Sequence, residues 1–291
     1  MKHPAWIPPR LYPFKSNFME IDGCKVHYLD EGRGPVMLLL HGNPTWSFLY
    51  RDVIQGLRGS WRCIAPDYPG FGLSAAREGY DFLPESHAKI ITELIAALGL
   101  QEITLMVQDW GGPIGMAAAG ADPGRFKGFV IGNTWAWGVN GNKRFERFSH
   151  IMGGRIMGIL IARFNAFVNL VMPRGVARKK LTREVMNAYR GPFPTPASRK
   201  PTHVFPWAIL GSGKFLTGVE QGLAGLSGHP ALLVWGNKDM AFKKEELQRW
   251  QSVFPQAETH ILKGAGHFIQ EDAPQEIVAH IQHWAQNLGR N

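Results

Sequence analysis

The chain has 291 residues, 45% of them hydrophobic and 19% charged, with a net charge of +9. That length and balance suit one large α/β domain with a substantial core and exclude a disordered chain. The basic excess comes with no nucleic-acid motif and no aromatic platform at basic spacing, so no nucleic-acid partner is expected.

The opening segment, MKHPAWIPPRLYPF, lacks the apolar core of a signal peptide. Short apolar runs then predict strands over Phe18–Ile21 and Lys25–Leu29, joined as a hairpin across Asp22-Gly23. Further strands are predicted over Val36–Leu40, Arg62–Ala65, Ile103–Val107, Phe129–Gly132, Ala231–Trp235 and Glu258–Leu262. Helical patterns cover Ser86–Leu98, Gly112–Ala121, Lys244–Val253 and Gln275–Asn287. The alternation argues for an α/β fold: a mostly parallel, eight-stranded sheet with helices on both faces. Cys24 and Cys63 fall in strands, where a free thiol packs as a small hydrophobe. No Cys/His spacing suggests a metal, so neither metal nor cofactor is expected, and the compartment is expected to be reducing and cytoplasmic.

From Trp135 to Gly213 the rhythm changes to helical patterns without a strand. This predicts a helical cap, residues 135–213, inserted into a core made of residues 1–134 and 214–291. The apolar run Ile151–Met172 carries Arg155 and Arg163, which a membrane span tolerates poorly, so it reads as an amphipathic helix and no membrane partner is expected. Within the insertion Lys and Arg far outnumber Glu146 and Glu184. Such an excess is either a solvated face or a positive field over a site entrance that favours departing anions. Self-association is left open.

Four segments follow strands, where an α/β sheet carries its functional groups. Val107-Gln108-Asp109-Trp110-Gly111-Gly112 joins an apolar strand to a helix through small residues, the arrangement of a nucleophile elbow. Its central residue is a carboxylate, able to attack carbon and form an alkyl ester without a base. Taken alone, Asp109 reads as a helix cap. The other segments change that reading. His267, in Gly264-Ala265-Gly266-His267-Phe268, follows the last strand and suits a general base. Asp239, in Gly236-Asn237-Lys238-Asp239, is either a turn residue or the carboxylate that orients His267. The fourth segment is His41-Gly42-Asn43-Pro44-Thr45-Trp46. Asp67, in PDYPGFGLS, reads as a turn organiser.

HGNPTWSFLYR, PDYPGFGLS, QDWGGPIGM, GNKD and GAGHFIQEDAP, in this order, resemble the haloalkane dehalogenases of the α/β-hydrolase superfamily over nearly the whole chain. The resemblance implies an α/β-hydrolase fold with a cap. It implies Asp109 as nucleophile, His267 as base, and Asn43 with Trp110 as donors to the leaving halide. Backbone N–H groups of the same two residues would receive the oxyanion. Family members carry the triad acid either before or after the cap. Here the first place reads Gly132-Asn133-Thr134, without a carboxylate, and the second offers Asp239, which implies the subgroup with an Asp–His–Asp triad and an Asn–Trp halide pair. The implied partners are a small halogenated hydrocarbon, water and halide ion. Phe268, Phe164, Phe167, Phe205, Trp207 and Ile209 are expected to line the pocket.

Among rivals, an epoxide hydrolase shares the Asp nucleophile but needs acids on the cap, usually two tyrosines, and the insertion holds only Tyr189. Fluoroacetate dehalogenases typically carry Arg where Trp110 stands. A serine esterase is excluded by Asp109. A binding protein on the same scaffold would have no use for nucleophile, base and acid together.

Overall fold

All eight predicted strands form, and they join in one sheet with the order β1-β2-β4-β3-β5-β6-β7-β8. The computed structural model describes residues 3–288. The strands are β1 (Ser16–Ile21), β2 (Cys24–Glu31), β3 (Val36–Leu40), β4 (Arg62–Pro66), β5 (Ile103–Asp109), β6 (Phe126–Thr134), β7 (Ala231–Gly236) and β8 (Glu258–Leu262). β2 runs antiparallel to β1 and β4; every other pairing is parallel. The β1–β2 hairpin turns on Asp22 and Gly23, both at positive φ, as a two-residue type I′ turn requires.

The core helices are α1 (Arg51–Leu57), α2 (Pro84–Ala97) and α3 (Gly111–Ala121). After β6 come α4 (Lys143–Met152), α5 (Arg155–Phe164), α6 (Ala166–Gly175), α7 (Arg183–Arg190), α8 (Lys200–Gly211) and α9 (Gly213–Gly222), with no strand until β7. Helices α10 (Lys244–Val253), α11 (Ile269–Asp272) and α12 (Pro274–Leu288) complete the chain. β3, β5 and β7 are nearly continuous apolar runs and are buried almost throughout, the mark of parallel strands covered by helices. α2 packs on α3, and α1 on α12. The turn that follows α9 and α9 itself both pack on α3.

Two local readings need correction. The run Ile151–Met172 is not one amphipathic helix. Gly153 and Gly154 end α4, and Asn165, left-handed at φ 51°, ends α5, so α5 and α6 meet at 92°. Helix α1 went unread because its sequence, RDVIQGL, is short and contains a glycine.

A buried ion pair ties α7 to α1 and α11. Arg51 of α1 donates to both oxygens of Glu271 on α11, at 2.5 and 2.8 Å, and Tyr189 of α7 donates to Glu271 at 2.6 Å. Burial raises the Glu271 carboxyl, but Arg51 and Tyr189 more than offset this and hold it below the usual range. Arg51→Met should cost about 3 kcal/mol, because the buried Glu271 charge would lose its bidentate partner and keep only Lys179, at 3.5 Å. Urea unfolding checks this, and a loss below about 1 kcal/mol, the scale of an exposed pair, would contradict it.

Candidate active site

The sheet places its switch point between β3 and β5. From β3 the chain crosses to β4 on one side, and β5 lies on the other. Ligands of open α/β sheets bind in the crevice outside such a point. Asn43 follows β3 and Asp109 ends β5, so both stand at that crevice.

Asp109 has φ 50°, a left-handed backbone at the junction of strand and helix, and α3 begins two residues later. So tight a junction needs missing side chains. A Cβ on Gly42 would lie 2.2 Å from Asp109 Oδ1, and one on Gly111 would lie 2.2 Å from the Leu40 carbonyl. The backbone N–H of Asn43 donates to Asp109 Oδ1 at 2.7 Å, and the Trp110 N–H also reaches the carboxylate. Burial pushes the Asp109 carboxyl above its ordinary value, against the pull of His267 and those two N–H groups.

His267 lies behind the carboxylate. Its Nδ1 meets Asp239 Oδ2 at 3.0 Å, and its Nε2 stands 3.6 Å from Asp109 Oδ2. The Asp239 contact fixes Nδ1 as the protonated nitrogen, leaving Nε2 facing Asp109 as the acceptor. Burial lowers the His267 pKa, but Asp239 and then Asp109 more than offset this, and the net shift is upward. Asp239 also accepts from the Ala241 N–H at 2.6 Å and from Asn133 Nδ2 at 2.8 Å. Asn133 sits at an irregularity in the β5–β6 register with φ 36°, and its side chain also bonds both backbone groups of Gly236. The irregularity turns a strand residue toward β7, where its amide grips the loop that carries Asp239.

The other nearby carboxylates are committed elsewhere. Glu271 binds Arg51 and Tyr189; Glu246 caps α10 and pairs with Arg144; Glu245 is exposed. Asp67 is buried and accepts from His27 Nδ1 and from the N–H groups of Ser47 and Leu73, the work of a turn organiser.

A cavity of 390 Å³ opens over these groups. Asn43, Asp109, Trp110, Asp239 and His267 line it, with Phe167 and Ile209 among the apolar residues. The other expected pocket residues lie elsewhere. Phe205 is buried behind Trp110, ring centroids 5.1 Å apart, and Phe268 is buried beside His267. Phe164, at the end of α5, and Trp207, on α8, are both exposed. Sequence reading missed Trp135, Phe145, Phe148, Leu170 and Phe242 as lining residues. Trp135 follows β6 directly, and that position was the available signal. Gln108 was also missed. Its Nε2 reaches the His267 carbonyl at 3.1 Å and Nε2 at 3.1 Å, so it holds the imidazole from below. Tyr189, buried and bound to Glu271, does not line the cavity.

The arrangement brings together a buried carboxylate, a histidine whose Nδ1 meets a second carboxylate, and Trp110 in the wall of an apolar chamber. Asn43 Nδ2 donates to the Thr202 carbonyl at 3.2 Å, which leaves its second N–H for a ligand.

Comparison with known proteins gives the chain's relatives. Residues 35–274 match the alpha/beta hydrolase fold family. The "Haloalkane dehalogenase 2" of Mycobacterium tuberculosis is 42% identical over 275 residues, 94% of this chain and 96% of that protein. The "Cis-3-alkyl-4-alkyloxetan-2-one decarboxylase" of Shewanella oneidensis is 36% identical over 94% of this chain and 89% of that protein. Among solved structures, the haloalkane dehalogenase DbeA from Bradyrhizobium elkani superposes with a TM-score of 0.86 at 26% identity, covering 95% of this chain and 99% of that one.

Proposed function

Because the chain belongs to the alpha/beta hydrolase family, with haloalkane dehalogenases among its homologues, we propose that it hydrolyses haloalkanes to alcohol, halide and proton through an alkyl ester of Asp109. The observation that carries this reading is the Asp109 carboxylate held at 2.7 Å by the Asn43 N–H, with the His267–Asp239 pair behind it and an apolar cavity in front.

In the first step Asp109 Oδ2 attacks the carbon that bears halogen. Charge develops on the halogen, and the Trp110 indole N–H and Asn43 Nδ2 stabilise it in a site with little water. In the second step His267 Nε2 takes a proton from water, which attacks the ester carbonyl. The Asn43 and Trp110 backbone N–H groups hold the resulting oxyanion, and Asp239 balances the imidazolium. Collapse of that intermediate frees the alcohol and restores Asp109. The insertion 135–213 acts as the cap that roofs the chamber and excludes bulk water.

Loss of one preorganised donor typically costs about 10²–10³ in turnover, so Asn43→Ala and Trp110→Phe should each fall by that amount. Bromide should quench tryptophan fluorescence in the wild type and much less in Trp110→Phe. Wild-type rates in both variants would remove the halide site from the mechanism. The direct test of the reaction is halide and proton release from 1,2-dibromoethane.

A second reading is favoured by the 36% identity to the oxetanone decarboxylase. Opening an oxetan-2-one at its alkyl carbon would discharge a carboxylate, an anion that the same donors would hold. Loss of carbon dioxide from that carboxylate would expel Asp109 and leave an alkene, with no water consumed, so His267→Phe would spare that reaction while stopping dehalogenation after one turnover. Carbon dioxide released from a cis-3,4-dialkyl oxetan-2-one, with no halide released from haloalkanes, would select it. Epoxide opening is not favoured, since the one tyrosine of the insertion is spent on Glu271.

A further inference from the structure

Helix α5 is amphipathic, yet its apolar side meets solvent. Ile156 is 78% exposed and Ile159 54%, and neighbouring α4 and α8 add Ile151 at 52% and Trp207 at 50%. α5 packs on α6 and α8, and α4 on α8, so these side chains belong to one group of contacting helices. Large hydrophobes exposed together in this way mark a surface that something covers.

Charge identifies what covers it. Between Arg147 and Arg183 the chain holds six Arg and two Lys, and no Asp or Glu. Arg147, Arg155, Arg163 and Arg174 are exposed and, among the described residues, pair with no carboxylate. A second copy docked face to face would bring these cations against one another. An anionic layer that also accepts isoleucine and tryptophan satisfies both features. Amphipathic helices with apolar residues flanked by Arg bind the boundary of anionic bilayers in this manner.

No single helix among the described residues is long and apolar enough to cross a bilayer, and α5 and α6, apolar enough together, are bent by 92°. They suit a position in the plane of the interface. Phe148 and Leu170 are exposed and also line the cavity, so its mouth opens among these helices.

We propose that the surface formed by α4, α5, α6 and α8 binds an anionic lipid bilayer, with the cavity mouth turned toward the lipid. The sequence expectation of no membrane partner concerned a span; the exposed side of α5 is a property of the folded chain. This inference does not depend on which reaction Asp109 performs.

The test is co-sedimentation of the purified protein with phosphatidylcholine vesicles, with and without a third of phosphatidylglycerol. The protein should pellet with the anionic vesicles, and added salt should weaken the binding. Ile156→Asp with Ile159→Asp should lower the affinity by roughly tenfold or more, since binding scales with apolar area buried. The same variant should keep wild-type activity on dissolved 1,2-dibromoethane, or on the oxetanone if that is the substrate, which shows that it folds. Absence of binding to anionic vesicles, or equal binding by the double variant, would overturn the proposal. So would a dimer in light scattering that the double variant dissociates, since a second copy would then be the occupant.

Discussion

Asp109→Asn and Asp109→Ala should each abolish halide release, with a fall of at least roughly 10⁴ in kcat, the scale seen when a nucleophile is removed. Both changes delete the oxygen that bonds to carbon, and no neighbouring group replaces it. His267 Nε2 is 3.6 Å from the carboxylate and acts in the second step as a base, not as a nucleophile toward the alkyl carbon. The two variants separate chemistry from strain. Asp109 is left-handed at φ 50°, a conformation that asparagine adopts readily and alanine does not. Asp109→Asn should therefore unfold close to the wild-type temperature, and Asp109→Ala somewhat below it. Sustained release of many halides per site by either variant would mean that Asp109 only caps α3.

The sheet and the candidate site were legible in the sequence for the same reason. β3, β5 and β7 are buried on both faces, so they appear as nearly continuous apolar runs whatever surrounds them. Chemistry in such a sheet follows the strand ends, so Asn43, Asp109, Asp239 and His267 are found by position. The lining of the cavity was legible only in part: Phe167 and Ile209 line it, and the other expected residues do not. Phe164 and Phe167 are three residues apart in an apolar run, yet one is exposed and the other lines the chamber. What separates them is the left-handed turn at Asn165, and asparagine does not announce that conformation in a sequence. Gln108 was overlooked for a different reason. Neighbours in a strand normally face opposite ways, and only the elbow brings Gln108 and Asp109 to the same histidine.

His267→Phe should release about one halide per active site and then stop, with an alkyl adduct on the peptide that carries Asp109. Asp239→Asn should show the same burst followed by slow turnover, because the imidazolium formed in the second step loses its counter-charge. The pH dependence distinguishes this role from a merely structural one. His267 must be neutral to accept a proton, so hydrolysis of the ester falls as pH drops through its pKa. In the free protein burial lowers that pKa, but Asp239 and Asp109 raise it more, which places it above 6.5. Alkylation removes the Asp109 charge, so in the ester intermediate the pKa lies lower than in the free protein. Asp239→Asn removes the largest raising influence, so its acid limb should move to still lower pH while the plateau rate falls. A variant damaged only in its fold would lose rate without moving the limb. Asn133 fits the same account: its amide donates to Asp239 Oδ2 at 2.8 Å, which aims that carboxylate at His267. Should Asp239→Asn keep kcat within about threefold of wild type, an effect of only ~0.6 kcal/mol, then Asp239 is a turn residue and His267 works without it.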